Sequence, residues 1–124
     1  LPAAGGIRET KMIADYAEEK SSMPCALHMI GSPVCFIANV HAAAAMNNFI
    51  ALEHHYLDIP WWKDLVTGLP DPFMKDGYVA VPEKPGLGID LNEKVITEHL
   101  RFPSYFESTP DWEKPRYGLG VRGY

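Results

Sequence analysis

Two short apolar runs, each ending in a polar residue, constrain the fold of this chain more than any other feature. They read "PCALH" at residues 24–28 and "FIALE" at residues 49–53. Runs of this length and composition are typical of strands buried on both faces. Between them, Ser32 and Pro33 supply an N-cap residue and a proline at the first helical position. A helical crossover between two buried strands predicts a parallel α/β sheet.

Periodic patterns on either side of this unit predict the remaining elements. A helix from Ile7 to Glu19 gathers its apolar residues near one face: Ile7, Met12, Ile13, Tyr16 and Ala17. The other predictions, in chain order, are a helix over 34–46 with a left-handed cap at Asn47-Asn48, a short helix at 61–66, a turn at 75–77 followed by a strand, and a helix capped by Asn92. Four aromatic residues of the tail predict that it lies on another surface: Phe102, Tyr105, Phe106 and Trp112.

The composition excludes several classes of protein. The chain has 124 residues, 47% hydrophobic, with a net charge of −5, which is enough for one domain with a core. The acidic balance argues against nucleic acid or an acidic membrane as partner, and no apolar run approaches the roughly 20 residues of a membrane span. We expect no signal peptide and reduced thiols at Cys25 and Cys35, which together predict a cytoplasmic protein.

The two strand ends are the candidate site. Carboxyl ends of parallel strands carry the chemistry of α/β folds, so His28 and Glu53 are predicted to share one rim. An imidazole titrates near neutrality, and a carboxyl held in a partly apolar site can stay protonated, so the pair suits proton transfer. Because side chains alternate along a strand, Phe49 is predicted to face the same way as Glu53, with Ile50 towards the helices.

Each candidate residue also has an ordinary structural interpretation. A histidine such as His28 at a strand end is more often a hydrogen-bonded structural residue, and Glu53 is equally consistent with a solvated charge. His54 and His55 are consistent with loop residues. A metal site built from all four is a further alternative, although the adjacent residues Glu53 and His54 should point to opposite faces.

Four longer stretches carry a family resemblance. They are "GGIRETKMIADYAEE", "CALHMIGSPVCFIANVHAAAA", "FIALEHH" and, most specifically, "VPEKPGLGIDLNEKVITEH". Together they resemble the C-terminal half of the mandelate racemase subgroup of the enolase superfamily, and within it the sugar-acid dehydratases. The resemblance implies an α/β fold that is the C-terminal portion of a (β/α)8-type, TIM-like barrel. Residues 1–68 would hold barrel strands 7 and 8, and residues 69–124 a hairpin, a helix and a return segment to a capping domain.

The resemblance also implies a function for the intact protein. It would be a Mg²⁺-dependent lyase that removes the proton α to a sugar-acid carboxylate and eliminates water through an enediolate. His28 would be the catalytic general acid/base, and Glu53 would stabilise the enolic intermediate. His55, His54 and Trp61 would line the substrate pocket. Mg²⁺ would be held by strands 3 to 5, which this chain lacks, so we expect no metal ligand here.

The implied partners are a small sugar acid, the remainder of the barrel with its capping domain, and further copies in a homo-oligomer. The chain is thus expected to be a fragment that begins within its fold. Two of eight strands would expose a parallel edge on each side, so we expect the isolated fragment to be inactive. The alternatives are a racemase, epimerase or cycloisomerase of the same superfamily, a non-catalytic barrel fragment that pairs with another chain, and a hydrolase with a Glu-His-His metal site.

Overall fold

The computed structural model describes residues 2–56 and 58–100. Its elements, in chain order, are a 3₁₀ turn at Pro2–Ala4, α1 (Ile7–Ser21), β1 (Cys25–Leu27), α2 (Pro33–Ala44), β2 (Phe49–Leu52), a 3₁₀ turn at Lys63–Leu65, β3 (Val66–Thr67), β4 (Met74–Lys75), β5 (Tyr78–Val79), β6 (Asp90–Leu91) and α3 (Glu93–Glu98). The predictions for the aromatic tail and the return segment concern residues outside the described ranges.

β1 and β2 form a parallel pair joined by α2, which confirms the predicted βαβ unit. Leu27 pairs with Leu52 at the C-terminal end of the ladder. At its start Cys25 pairs with Phe49 while the next pair is Ala26 with Ala51, so β2 carries one extra residue. The register is therefore irregular where the strands begin and regular where they end.

The extra residue is Ile50, and the insertion turns the preceding residue, Phe49, towards the helices. Phe49 packs against Ala42 and Met46 of the helical layer, whereas Ile50 is 63% exposed. The prediction that Phe49 faces away from the helices is wrong, because one inserted residue shifts the alternation by one position. The orientation of Ile50 towards the helices stays a prediction. Leu52, beyond the irregularity, packs on the core as predicted.

α2 lies at the centre of the core because it is apolar on most sides. Its largest buried apolar side chains are Phe36, Ile37 and Val40. Ser32 Oγ accepts the N–H of Cys35 at 3.4 Å, which confirms the predicted cap. Neither α2 nor any other helix in the described ranges is long and apolar enough to cross a membrane.

The C-terminal end of α2 differs from the prediction. Ala45 caps the helix in the right-handed region, with φ −92° and ψ −5°, so the predicted left-handed cap at Asn47-Asn48 is wrong. Asn48 has a different role: its Nδ2 donates to the carbonyl oxygens of Ala14, at 2.9 Å, and Met23, at 2.8 Å. These bonds join the middle of α1 and the loop before β1 to the residue that precedes β2.

α1 contacts α2 through small residues and not through its predicted apolar face. Its buried residues are Thr10 and Ala14, one turn apart. Met12, Ile13 and Tyr16 are between 55% and 64% exposed. The helix is therefore where the pattern predicts it, but its larger apolar side chains remain uncovered within the described residues.

The segment after β2 consists of short pieces. β4 and β5 form an antiparallel hairpin whose turn residues Asp76 and Gly77 have φ of 52° and 80°, which confirms the predicted turn. β3 pairs with β6, which was not predicted, and the predicted helix at 61–66 is a single 3₁₀ turn. Asn92 Oδ1 accepts the N–H of Val95 at 3.5 Å and caps α3 as predicted.

The largest apolar cluster joins this segment to α2. Its buried members are Met29, Phe36, Ile37, Val40 and Trp62. The segment contributes half-buried side chains that pack on them: Leu69, Phe73, Met74, Val79, Leu87 and Ile89. The segment thus depends on the βαβ unit for its core, and the division of the chain at residue 68 stays a prediction.

Candidate active site

The two predicted strand-end residues emerge side by side. β1 ends at Leu27 and β2 at Leu52, and the N–H of Glu53 donates to the Leu27 carbonyl at 3.0 Å, which continues the ladder by one step. His28 and Glu53 therefore leave neighbouring parallel strands at the same edge of the sheet. This is the edge at which parallel α/β folds place their functional groups.

Glu53 is the centre of a small polar cluster. Its Oε2 is hydrogen-bonded to Nδ1 of His28 and accepts the backbone N–H of Met29 at 3.2 Å. Its Oε1 lies 2.6 Å from Nε2 of His55. We call His28, Glu53 and His55 the rim cluster. All three are exposed to solvent, while Met29 beside them is 1% exposed and part of the core.

The donors around Glu53 hold its pKa at about 2, below the ordinary 4.5. The hydrogen bond from His55 is the largest cause; partial burial opposes it, and the bonds from Met29 and His28 add to the lowering. These donors favour the ionised form of Glu53 in the described chain. Since a carboxylate only accepts, the imidazole nitrogens facing it carry hydrogen, and Nε2 of His28 and Nδ1 of His55 remain free for other partners.

His54 lies on the other side of the strand end, as the alternation predicts. Its ring packs among Phe36, Trp62 and Phe73, with centroid distances of 4.9, 5.0 and 5.8 Å. Burial, and secondarily the charge of His55, lowers the pKa of His54, and its Nδ1 is buried without a hydrogen-bond partner. The structure thus places His54 in an aromatic cluster away from the rim, and substrate contact by this residue stays a prediction.

The two tryptophans after β2 have different surroundings. Trp61 is half-buried and stacks on His99, with centroids 4.0 Å apart and planes within 9°. Trp62 is buried, and its Nε1–H donates to the Gly31 carbonyl at 3.0 Å. This bond anchors the loop that follows His28, and the sequence pattern gave no signal for it because the partners lie 31 residues apart. The substrate contact predicted for Trp61 stays a prediction.

The rim cluster does not fit the Mg²⁺ that the resemblance implies. In the ranges that the structure describes, it is the one group of three potential ligands close enough to hold an ion. Mg²⁺ takes six oxygen ligands in near-octahedral geometry, whereas two of the three donors here are imidazole nitrogens. Ligation of Mg²⁺ by strands outside this chain stays a prediction.

Comparison with known families identifies the fold. The family model described as "Enolase C-terminal domain-like" matches residues 1–95. The chain belongs to this family. The predicted fold class, a C-terminal portion of the α/β barrel of these enzymes, is thereby confirmed.

Two relatives of this enolase-family chain are sugar-acid dehydratases. D-xylonate dehydratase of Haloferax volcanii is 41% identical over 100 residues, which cover 81% of this chain and 24% of that protein. D-galactonate dehydratase of Ralstonia nicotianae is 32% identical over 119 residues, covering 93% of this chain and 29% of that protein. The chain therefore spans about a quarter of the length of these relatives.

A solved structure shares the arrangement of the enolase-family chain. The mandelate racemase/muconate lactonizing enzyme-like protein of Rubrobacter xylanophilus superposes with a TM-score of 0.72 at 41% identity. The match covers 77% of this chain and 24% of that one. The likeness thus extends over most of the described residues.

Proposed function

We propose that the intact protein containing this chain is a sugar-acid dehydratase, and that this chain supplies one side of its catalytic rim. The rim cluster, at the carboxyl ends of two adjacent parallel strands, is the observation that carries the proposal. The dehydratase relatives support it at the level of reaction class. The substrate would be a small polyhydroxy carboxylate.

His28 is proposed to be the general acid. Glu53 accepts a hydrogen bond from Nδ1, which orients the ring and leaves Nε2 available to a substrate, since the side chain is 70% exposed. In the dehydration, a base outside this chain takes the α-proton, and His28 gives a proton to the β-hydroxyl. The β-carbon–oxygen bond breaks and water leaves. Tautomerisation of the resulting enol gives a 2-keto-3-deoxy acid, so atoms and charge balance.

Glu53 is proposed to stabilise the enolic intermediate, for which it needs a proton. A bound sugar-acid carboxylate would raise the pKa of Glu53, because a like charge disfavours the ionised form, and closure of the barrel would add desolvation. The neutral carboxyl could then donate to the developing oxyanion. His55, with Nδ1 free, is proposed to contact a substrate hydroxyl.

The remainder of the barrel is proposed to cover the open sides of the βαβ unit. An apolar recess of about 490 Å³ lies beside β2, with Ile50, Ala51 and Tyr78 in its lining. A second, of about 250 Å³, lies beside β1 and is lined in part by Ile13 and Ala26. Parallel strands need partners on both edges, which other barrel strands would provide. The predicted homo-oligomer stays a prediction.

The test uses the full-length protein that contains this chain, supplied with Mg²⁺ and a panel of sugar acids that includes xylonate and galactonate. We expect formation of a 2-keto-3-deoxy acid from at least one of them. His28→Asn should lower kcat by about 10²–10⁴-fold with an unchanged circular dichroism spectrum. His41→Gln is the matched control, since His41 lies on α2 and bonds to the Leu87 carbonyl, and it should keep activity.

Two outcomes would contradict the proposal. Full activity of His28→Asn would remove the assigned role of the residue. Exchange of the α-proton with solvent D₂O without any keto product would instead favour a racemase or epimerase on the same barrel.

A further inference from the structure

The rim cluster has the composition and spacing of a site for a transition-metal ion. The potential ligand atoms of His28, Glu53 and His55 all lie within 4.8 Å of one another. Their side chains are 70%, 40% and 48% exposed, so an ion can reach them from solvent. We propose that this cluster binds Zn²⁺, at a site separate from that of any Mg²⁺ the enzyme uses.

The donor set favours Zn²⁺ over Mg²⁺. Two imidazole nitrogens and one carboxylate oxygen are ordinary Zn²⁺ ligands, and three protein ligands leave a fourth tetrahedral position for water. Mg²⁺ prefers an all-oxygen shell and keeps its waters. The cluster would therefore discriminate between the two ions by ligand type.

The spacing needs only small adjustments. A tetrahedral ion about 2.0–2.1 Å from each donor requires ligand atoms roughly 3.3 Å apart. Nε2 of His55 and Oε1 of Glu53 are now 2.6 Å apart, so these atoms must separate by roughly 0.7 Å to reach that spacing. Rotation of the exposed side chains can supply this movement. The backbone is already in place because Glu53 and His28 are held by adjacent strands.

A second group helps to orient the ligands. The N–H of Met29 donates to Oε2 of Glu53 at 3.2 Å and belongs to a residue that is 1% exposed. Hydrogen bonds to a ligating carboxylate fix its direction and strengthen the site. The backbone of a buried residue thus orients Glu53, although the side chain of Glu53 is accessible to solvent.

Bound Zn²⁺ would inhibit the enzyme. The ion would occupy a ring nitrogen of His28 and the carboxylate of Glu53, the two groups assigned to proton donation and to the enolic intermediate. This consequence rests on the proposed function, whereas binding of the ion does not. Inhibition should persist at saturating Mg²⁺, because the two ions do not compete for one site.

The experiment measures Zn²⁺ stoichiometry in the full-length protein at saturating Mg²⁺, by equilibrium dialysis and metal analysis. Wild type should bind one Zn²⁺ per chain more than His55→Gln, or bind that ion at least 10-fold more tightly. His28→Asn should show the same loss. His99→Gln is the matched control, because His99 is an exposed histidine on the C-terminal cap of α3 that stacks on Trp61 and is not one of the three potential ligands, and it should bind as wild type does.

Co²⁺ provides a second measurement, since its visible spectrum reports a tetrahedral nitrogen and oxygen shell. We expect intense bands with wild type and His99→Gln and their loss in His55→Gln. Equal Zn²⁺ stoichiometry and affinity in wild type, His55→Gln and His28→Asn would overturn the inference. If Zn²⁺ binding depends on His55 but the protein dehydrates no sugar acid, the site stands and the proposed function is what fails.

Discussion

The βαβ unit at residues 25–55 and the segment at residues 66–99 are built in opposite ways. In the former, α2 is buried on most sides and the strands present polar residues at their carboxyl ends. The latter has four strands of two residues each, in two pairs, and one six-residue helix. Its hairpin and loops contribute half-buried side chains to a core centred elsewhere. The first region creates both the core and the site, whereas the second region covers that core.

The comparison separates stability from chemistry. The rim cluster belongs to the βαβ unit alone, so changes in the covering segment should lower the free energy of unfolding and leave the chemistry of the rim intact. Trp62 lies between the regions: it packs in the shared cluster and bonds to the loop after His28. Mutations in the two regions and at Trp62 therefore test the separation directly.

The largest expected effect is at Trp62, where one substitution should lower both the stability of the fold and the activity. Trp62→Ala should lower the free energy of unfolding of the intact protein by about 3–5 kcal/mol, because it removes a buried ring, and it should also lower kcat through the freed Gly31 loop. Trp62→Phe keeps an aromatic ring but loses the donor to Gly31, and should cost about 1–3 kcal/mol. Denaturant unfolding and steady-state kinetics measure both. An unchanged kcat in Trp62→Ala would show that the loop does not depend on this anchor.

The next largest effect is at Glu53, where substitution should lower kcat but leave the stability of the fold nearly unchanged. Glu53→Ala should lower kcat by about 10²–10³-fold, the usual loss for one donor to an oxyanion, with little change in the unfolding midpoint. Glu53→Gln keeps a neutral hydrogen-bond donor and should lose at least about 10-fold less than Glu53→Ala. Equal losses in the two variants would mean that the charge of Glu53, and not a donated hydrogen bond, is what the reaction needs.

Substitution of Gly88, in the segment at residues 66–99, should lower the free energy of unfolding and leave kcat unchanged. The φ of Gly88 is +76° and a Cβ there would lie 2.5 Å from Cβ of Pro82, so Gly88→Ala combines backbone strain with a close contact. We expect a loss of about 2–3 kcal/mol of unfolding free energy and an unchanged kcat. Gly86→Ala is the matched control, since Gly86 also has positive φ but open space around it, and should lose about 1–2 kcal/mol. A fall in kcat for Gly88→Ala would break the separation of the regions.

The smallest effect is the pH dependence carried by His54. Burial lowers the pKa of His54 below 6.5, so the unfolded chain binds a proton more readily than the folded one. Stability is then complete above about 6.5 and falls as the pH drops below it. His54→Phe should make the unfolding midpoint less dependent on pH between about pH 7.5 and 5.5. Glu53 does not contribute in that window, since its pKa is lowered from 4.5 to about 2 and its stabilisation is lost only below about pH 4.5. An equal slope in His54→Phe would assign the dependence to another group.

Local chemistry predicted much of the fold. The cap at Ser32, the turn at Asp76-Gly77 and the cap at Asn92 were each predicted correctly. In all three, the partners lie within a few residues of one another, so the pattern contains the whole interaction. The placement of His28 and Glu53 on one edge was equally predictable, because parallel strands joined by a helix bring their carboxyl ends together.

Only the tertiary structure decided the features that depend on residues distant in the chain. The extra residue at Ile50 turned Phe49 towards the helices, and packing through Thr10 and Ala14 left the larger apolar residues of α1 exposed. The hydrogen bond from Trp62 to the Gly31 carbonyl joins residues that are distant in the chain. The pKa of Glu53 is lowered by hydrogen bonds from His55, Met29 and His28, which the fold brings to one carboxylate. The sequence by itself determined the three helices, the two strands of the βαβ unit and the edge that carries the polar groups. The tertiary structure decided burial, protonation and partners, because these depend on the dielectric surroundings and donors that distant segments bring together.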